Sequence, residues 1–236
     1  MGQLTEHQKQ RMIEAWRAVL NMSHGIKNTL QAIGSGRDVM NEALGRSDID
    51  MAKRTWNILR QNLERIEKLS LDMLKYSKDE ALNLKPCDFN HLVESAVKTI
   101  RPQANQLQVE IIVQTDEKLQ PVSMDAEKMR DVIMNLLVNA IEATEPKTGE
   151  VIVRTELDRD NQRVVLRVSD NGRGIGNTDQ IFEPFYSTKD NVGAGLGLTI
   201  AHKIVEKHGG TLSAQSLPDE GATFTVCIPM NAEKTA

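Results

Sequence analysis

Asp170 is the first residue of this sequence whose position asks for a chemical explanation. Alternation through Val164, Leu166, Val168 and Asp170 puts the acid on the face that must point into a core, where a carboxylate is costly unless it is paired. Either the strand ends there and the acid turns out to water, or it forms the floor of a pocket. The residues that follow, Asn171-Gly172-Arg173-Gly174-Ile175, favour the pocket, because a Gly-x-Gly bend lets the flat edge of a ligand come close. An acceptor in such a place suits an exocyclic amino group. Six of the 15 glycines, Gly172, Gly174, Gly176, Gly193, Gly195 and Gly197, lie within this short stretch of chain. The second group, Gly193-Ala-Gly195-Leu196-Gly197-Leu198, leads into a helix, and free N–H groups at a helix start favour an anion such as phosphate. Taken alone that pattern is weak, since glycine runs are more often flexible turns. Lys189, shortly before it, offers a mobile positive charge. Asn135 and Asn139 are four residues apart on one helical face, and a carboxamide oxygen suits a hard cation such as Mg2+.

These residues need elements to hold them. Residues 12–44 carry apolar side chains at steps of four and three: Met12, Trp16, Val19, Ile26, Leu30, Ile33, Met40 and Leu44, with Ser23 and Arg37 as polar interruptions. That is a helix-bundle seam. Gly45–Asp50 has turn composition, and Asp50 is the expected N-cap of a second helix through Trp56, Leu59, Leu63, Ile66 and Met73, ending near Ser77. Two such stripes cannot be buried within one hairpin, so a homodimeric four-helix bundle is expected. The expected domains are a 1–11 linker remnant, a 12–78 hairpin, a 79–86 linker, an 87–231 domain and a 232–236 tail. In the larger domain the pattern predicts helices over 88–101, from a cap at Asp125 to Ile141, and over 196–208. Strands are expected at 108–114, 150–157, 164–170, 211–216 and 223–229, forming one sheet with helices on one face. The fold class is therefore α+β, a helical hairpin followed by an α/β sandwich.

Composition narrows the partners. The chain has 236 residues, a net charge of −4 and 39% hydrophobic content, a balance of globular domains without the basic footprint of a nucleic-acid binder. No apolar run reaches the roughly 20 residues of a membrane helix, and the first ten residues lack a signal-peptide core, so a cytoplasmic location is expected. Cys87 and Cys227 are far apart and indicate neither a disulfide framework nor a zinc site.

Asn135-Leu-Leu-Val-Asn139-Ala, Asp170-Asn-Gly-Arg-Gly-Ile175, Phe182-Glu-Pro-Phe185 and Gly193-Ala-Gly-Leu-Gly-Leu198 resemble, in order and spacing, the N, G1, F and G2 boxes of two-component sensor histidine kinases. The resemblance covers about 150 residues. It implies a catalytic domain of the GHKL ATPase type, the Bergerat fold shared with gyrase, Hsp90 and MutL, binding ATP with Mg2+. By the same resemblance Asn139 holds Mg2+, Asp170 takes the adenine amino group, and Gly172 and Gly174 shape the pocket. Residues 176–197 would form a lid, with Lys189 and the backbone of Gly195–Gly197 on the phosphates. Phe182, Phe185 and Tyr186 would anchor its hinge.

Such a kinase needs a nucleophilic histidine on the first helix, and Ser23-His24-Gly25-Ile26-Lys27-Asn28 supplies His24. It projects off the expected seam, with Asn28 one turn further on the same face. Family members usually place an acid after the histidine; here Gly25 stands there. Glu142 fills an N-box slot that is often basic. Ala222 replaces the usual hydroxyl residue of the closing strand, leaving Thr223 or water to compensate. The implied activity is autophosphorylation of His24 followed by transfer to an aspartate of a response-regulator receiver domain. The alternative is a phosphatase or non-catalytic nucleotide-binding module that docks a receiver, with Asn28 positioning water. An ATPase or chaperone of the superfamily is disfavoured, because Asn135 stands where those relatives carry a general-base acid.

Overall fold

The computed structural model describes residues 6–77, 80–178, 180–184, 186 and 195–230, with the side chains of residues 6–22 and 24 outside that description. The chain divides into two compact units, Met1–Lys78 with Glu183–Leu196, and Asp79–Phe182 with Gly197–Ala236.

The first unit is a hairpin of α1 (Glu6–Gly45) and α2 (Ile49–Ser77). The turn between them is closed by Asp48, not by the expected Asp50. The Asp48 carboxylate accepts from the Met51 N–H at 2.9 Å, and Asp50 falls within the first turn of α2. The inner seam is also displaced. Thr29, Gly36 and Ala43 are buried, and Ile26, Ile33 and Met40 are half-buried, whereas Leu30, Arg37 and Leu44 are exposed. One row therefore matches the expected seam and the other is shifted by one residue. Small side chains explain the shift, since a Cβ at Gly36 would lie 2.7 Å from Leu59 Cδ2. Apolar counting favours the leucines, but close approach of the helices selects the small residues beside them. The two buried threonines leave no hydroxyl unpaired: Thr29 donates to the Gly25 carbonyl at 2.9 Å and Thr55 to that of Met51 at 2.8 Å.

The second unit is a mixed five-stranded sheet in the order β2-β4-β5-β7-β6. Its strands are β2 (Glu110–Gln114), β4 (Glu150–Asp158), β5 (Arg163–Asp170), β6 (Thr211–Ser216) and β7 (Ala222–Pro229). Only β2 and β4 pair in parallel. Helices α3 (Phe89–Leu107), α4 (Ala126–Ala143) and α5 (Gly197–Lys207) pack on the sheet; Ile100, Ile133, Leu137, Ile141, Ile204 and Val205 of the helices and Val151, Leu166, Val168 and Val226 of the strands are all buried. A two-stranded ribbon, β1 (Lys85–Cys87) with β3 (Val122–Met124), was not legible in the sequence. Three residues each are too few for a periodic signal, and Pro86 reads as a breaker although a sheet edge tolerates it. The ribbon also places residues 85 and 86 in the larger unit, where the sequence expected linker. α3 runs six residues beyond its expected end at 101, through Pro102. The missing N–H costs one helical bond, and burial of Ala104 on the far side carries the helix onward.

α4 begins as its sequence dictates. The Asp125 carboxylate caps it by accepting from the Lys128 N–H at 3.1 Å, and its second oxygen accepts from the Asn83 N–H at 3.0 Å. The Asp125 N–H donates to His208 Nε2 at 3.0 Å. Buried His208 thus joins the end of α5 to the start of α4.

Candidate active site

The register of the central strands builds the site. Asp170 stands opposite Val151 on β4 and Ala222 on β7, and Ala222 stands opposite Ser216 on β6. Directly paired residues share a face, so Asp170, Ala222 and Ser216 form one row on the side that carries the helices. Asp170 is only 8% exposed, which resolves the sequence ambiguity in favour of a pocket floor. Its Oδ1 accepts from the Gly172 N–H at 3.0 Å. Burial raises the carboxyl above the ordinary carboxylate value, and the N–H groups of Gly172 and Ala222 pull the other way.

Around this acid the backbone passes too close for side chains. A Cβ at Gly172 would sit 2.3 Å from the Ala143 carbonyl oxygen, which ends α4, and one at Gly174 (φ +67°) would sit 2.1 Å from that of Leu217. The two expected pocket glycines are therefore required by contact. The bend is stapled at its start by Asn171, which accepts from the Glu150 N–H at 2.8 Å and donates to the Thr148 carbonyl at 2.9 Å. The Ile175 N–H donates to Ser216 Oγ at 2.8 Å. An open cavity of about 510 Å³ adjoins the acid, lined by Asp170, Thr178, Ser216, Leu217, Gly221 and Thr223 among others.

Thr223 lines this cavity, but its hydroxyl is 2.9 Å from Ser169 Oγ, and both residues lie on the sheet face opposite Asp170. Period-two alternation prevents Thr223 from standing in for the hydroxyl missing at Ala222. Strand β6, through Ser216, is the nearest source of one in the same row. Neither Ser216 nor Gly221 was singled out in the sequence. Cross-strand register was the signal, and it needs the pairing of β6 with β7 to be known.

The helices bring the amides. Asn135 and Asn139 are half-buried on α4, and a Cβ at Gly197, the first residue of α5, would lie 3.0 Å from Asn135 Oδ1. The start of α5 therefore faces the amide row. The end of α4 is fixed to the glycine bend, because the Arg173 N–H donates to the Ala143 carbonyl at 3.2 Å. Glu142 is exposed in the last turn of α4. Gly195 has φ +64°, Leu196 is buried and Leu198 half-buried. The Phe182 ring lies 5.2 Å from that of His202 on α5, centroid to centroid. Lys189, Gly193 and Phe185 lie outside the described residues. His24 falls within α1, with Lys27 and Asn28 exposed after it. Among the described residues no group of three His, Cys, Asp or Glu could hold a metal ion.

Residues 124–232 match the family model described as histidine kinase-, DNA gyrase B-, and HSP90-like ATPase. Signal transduction histidine-protein kinase AtoS of Escherichia coli K12 is 28% identical over 228 residues, 96% of this chain and 36% of that protein. Sensor histidine kinase ZraS of the same strain is 26% identical over 226 residues, 94% of this chain and 47% of that protein. The histidine kinase ThkA, in a crystal structure with response regulator protein TrrA, superimposes with a TM-score of 0.81 at 27% identity, over 96% of this chain and 65% of that one.

The chain carries a domain of this ATPase type and is similar to sensor histidine kinases over nearly its whole length.

It spans between about a third and a half of the two curated relatives named. The residues that the four kinase boxes marked, from Asn135 to Leu198, all fall within the matched segment 124–232. Gly25 and Ala222 depart from the pattern of the kinase-like boxes, and the structure gives each a local setting. Among the described residues a Cβ at Gly25 would meet nothing within 4 Å. Ala222, by contrast, lies buried between Asp170 and Ser216.

Proposed function

We propose that this chain is an ATP-dependent protein-histidine kinase that phosphorylates His24 and passes the phosphoryl group to an aspartate on a response-regulator receiver domain. The observation that carries this reading is the buried carboxylate of Asp170 lining the open cavity beside Gly221, with the close-packed bend of Gly172 and Gly174 directly after it. Ionised Asp170 accepts a hydrogen bond from the adenine amino group. Guanine presents a carbonyl oxygen at that edge, which a carboxylate repels.

The phosphates extend toward the α4 and α5 ends, where Gly195–Gly197 lead into the N-terminus of α5, a helix end that favours anions. Lys189 supplies a positive charge to them. Asn135 and Asn139 fit a magnesium site, because both are half-buried carboxamides for which no hydrogen bond is found among the described residues. Bound there, Mg2+ would neutralise charge on the phosphate oxygens. Asn139 would hold the ion, and Asn135 would steady the start of α5.

His24 attacks as a neutral imidazole, the form well populated near pH 7. Its ring nitrogen forms a bond to the γ-phosphorus as the bond to the bridging oxygen of ADP breaks, and the other ring nitrogen releases its proton. The chain acts in the cytoplasm as a homodimer. Among the described residues, every large apolar side chain that is exposed lies on the hairpin except Leu217, and a second hairpin covers that face.

Gly25 favours one further reading, a phosphatase or receiver-docking module, since no acid follows His24 and exposed Asn28 lies one turn on. Incubation with γ-labelled ATP separates the two. Acid-labile label that vanishes in His24→Ala supports the kinase, and nucleotide binding without label supports the module.

A further inference from the structure

Ser216 stands at a junction that the kinase boxes leave unassigned. Its hydroxyl oxygen accepts from the Ile175 N–H at 2.8 Å and donates to the Gly221 carbonyl at 2.6 Å. The first bond holds the glycine bend that follows Asp170, and the second holds the turn between β6 and β7. The same two segments meet again where the Asp219 N–H donates to the Arg173 carbonyl at 2.9 Å. Gly174 and Gly221 mark how closely they run: a Cβ at Gly221 would lie 1.9 Å from the Asp170 carbonyl oxygen. Ser216 also lines the cavity, in the row of Asp170 and one strand beyond Ala222.

We propose that Ser216 is a positioning residue of the base pocket, whose hydroxyl ties the Ile175 and Gly221 backbones together and so sets the width of the pocket facing Asp170. The inference rests on the reading of this cavity as the adenine site. With the hydroxyl removed, the Ile175 N–H and the Gly221 carbonyl both lose their partner. The two walls then separate, and the Asp170 carboxylate no longer meets one base edge at fixed distance. Discrimination between a C6 amino group and a C6 carbonyl weakens with it.

The test measures ATP and GTP binding by titration calorimetry, and KM and kcat for autophosphorylation, in the wild type, Ser216→Ala and Ser216→Thr. Thr155→Val serves as the folding control, because Thr155 bonds to Asn90 Oδ1 at 2.7 Å and to the Asp116 N–H at 3.1 Å, outside the cavity lining. Ser216→Ala should weaken ATP binding about tenfold, raise KM in step with little change in kcat, and narrow the preference for ATP over GTP. Ser216→Thr should restore both affinity and preference, and Thr155→Val should leave both unchanged. The proposal is overturned if Ser216→Ala keeps wild-type ATP affinity and preference, or if Thr155→Val loses them equally. Failure of the wild type to bind ATP would instead overturn the reading of the cavity.

Discussion

Replacing Asp170 by asparagine should move affinity and stability in opposite directions, an outcome that few alternatives to the pocket reading share. The two side chains have nearly the same shape, and the carboxamide oxygen can still accept from the Gly172 N–H that now bonds Asp170 at 3.0 Å. What changes is the charge. A hydrogen bond to an ionised acceptor contributes about 1.5–3 kcal/mol, so its loss should weaken ATP binding roughly ten- to a hundredfold. For the unliganded protein the sign is reversed. Burial raises the folded-state value of Asp170 above the ordinary carboxylate value, so the ionised form is the less favourable one in the folded chain. Above that raised value the wild type carries the full cost, and the cost is relieved as pH falls toward the unfolded value. The neutral amide never carries it. The melting temperature without nucleotide at pH 7.5 should therefore be unchanged or higher in Asp170→Asn, while calorimetric affinity for ATP falls. A variant that loses stability and affinity together would show Asp170 to be a structural acid, and the pocket argument would fail.

Protonation of His208 should destabilise the larger unit. Its Nε2 accepts from the Asp125 N–H, so Nδ1 bears the proton and donates to the Ile204 carbonyl at 2.8 Å. Burial lowers the imidazole below the ordinary histidine value, with the Ile204 carbonyl and Asp125 opposing. Stability from this group is complete above the unfolded value, near 6.5, and declines as pH falls below it; urea midpoints at pH 7.5 and 5.5 should differ less in His208→Gln than in the wild type. Trp56, 54% exposed on α2, should face the second copy, and Trp56→Glu should shift sedimentation from dimer to monomer; a wild type that sediments as a monomer would contradict the bundle. Gly25→Ala should stabilise α1 by about 1 kcal/mol, read as a higher midpoint of the helical transition, because a Cβ there meets no neighbour among the described residues. A loss of stability would show that Gly25 serves packing after all.

The larger unit was readable because its signals are local. The Asp125 cap, the alternation of β5 and the glycine bend each specify their structure within a few residues, and they place Asp170 on the core face without tertiary information. The hairpin was less readable, since apolar counting ranks Leu30 and Leu44 above Gly36 and Ala43, whereas close packing of two helices selects the smaller pair. Asp48 and Asp50 are both competent caps, and only the geometry of the turn chooses between them. Ser216 lay beyond sequence reasoning for a different reason: its role depends on the registers of β5 with β7 and of β7 with β6, which no local pattern encodes. The same registers turn the Thr223 hydroxyl to the far face of the sheet.

The central claim, that this chain transfers the γ-phosphoryl group of ATP to His24, is tested most directly by incubating the protein with γ-labelled ATP and Mg2+. The account predicts label on the wild-type chain that is stable in alkali, lost in acid and absent from His24→Ala, with nucleotide binding retained in that variant. Wild-type protein that binds ATP but takes up no label, or label that persists in His24→Ala, would contradict it.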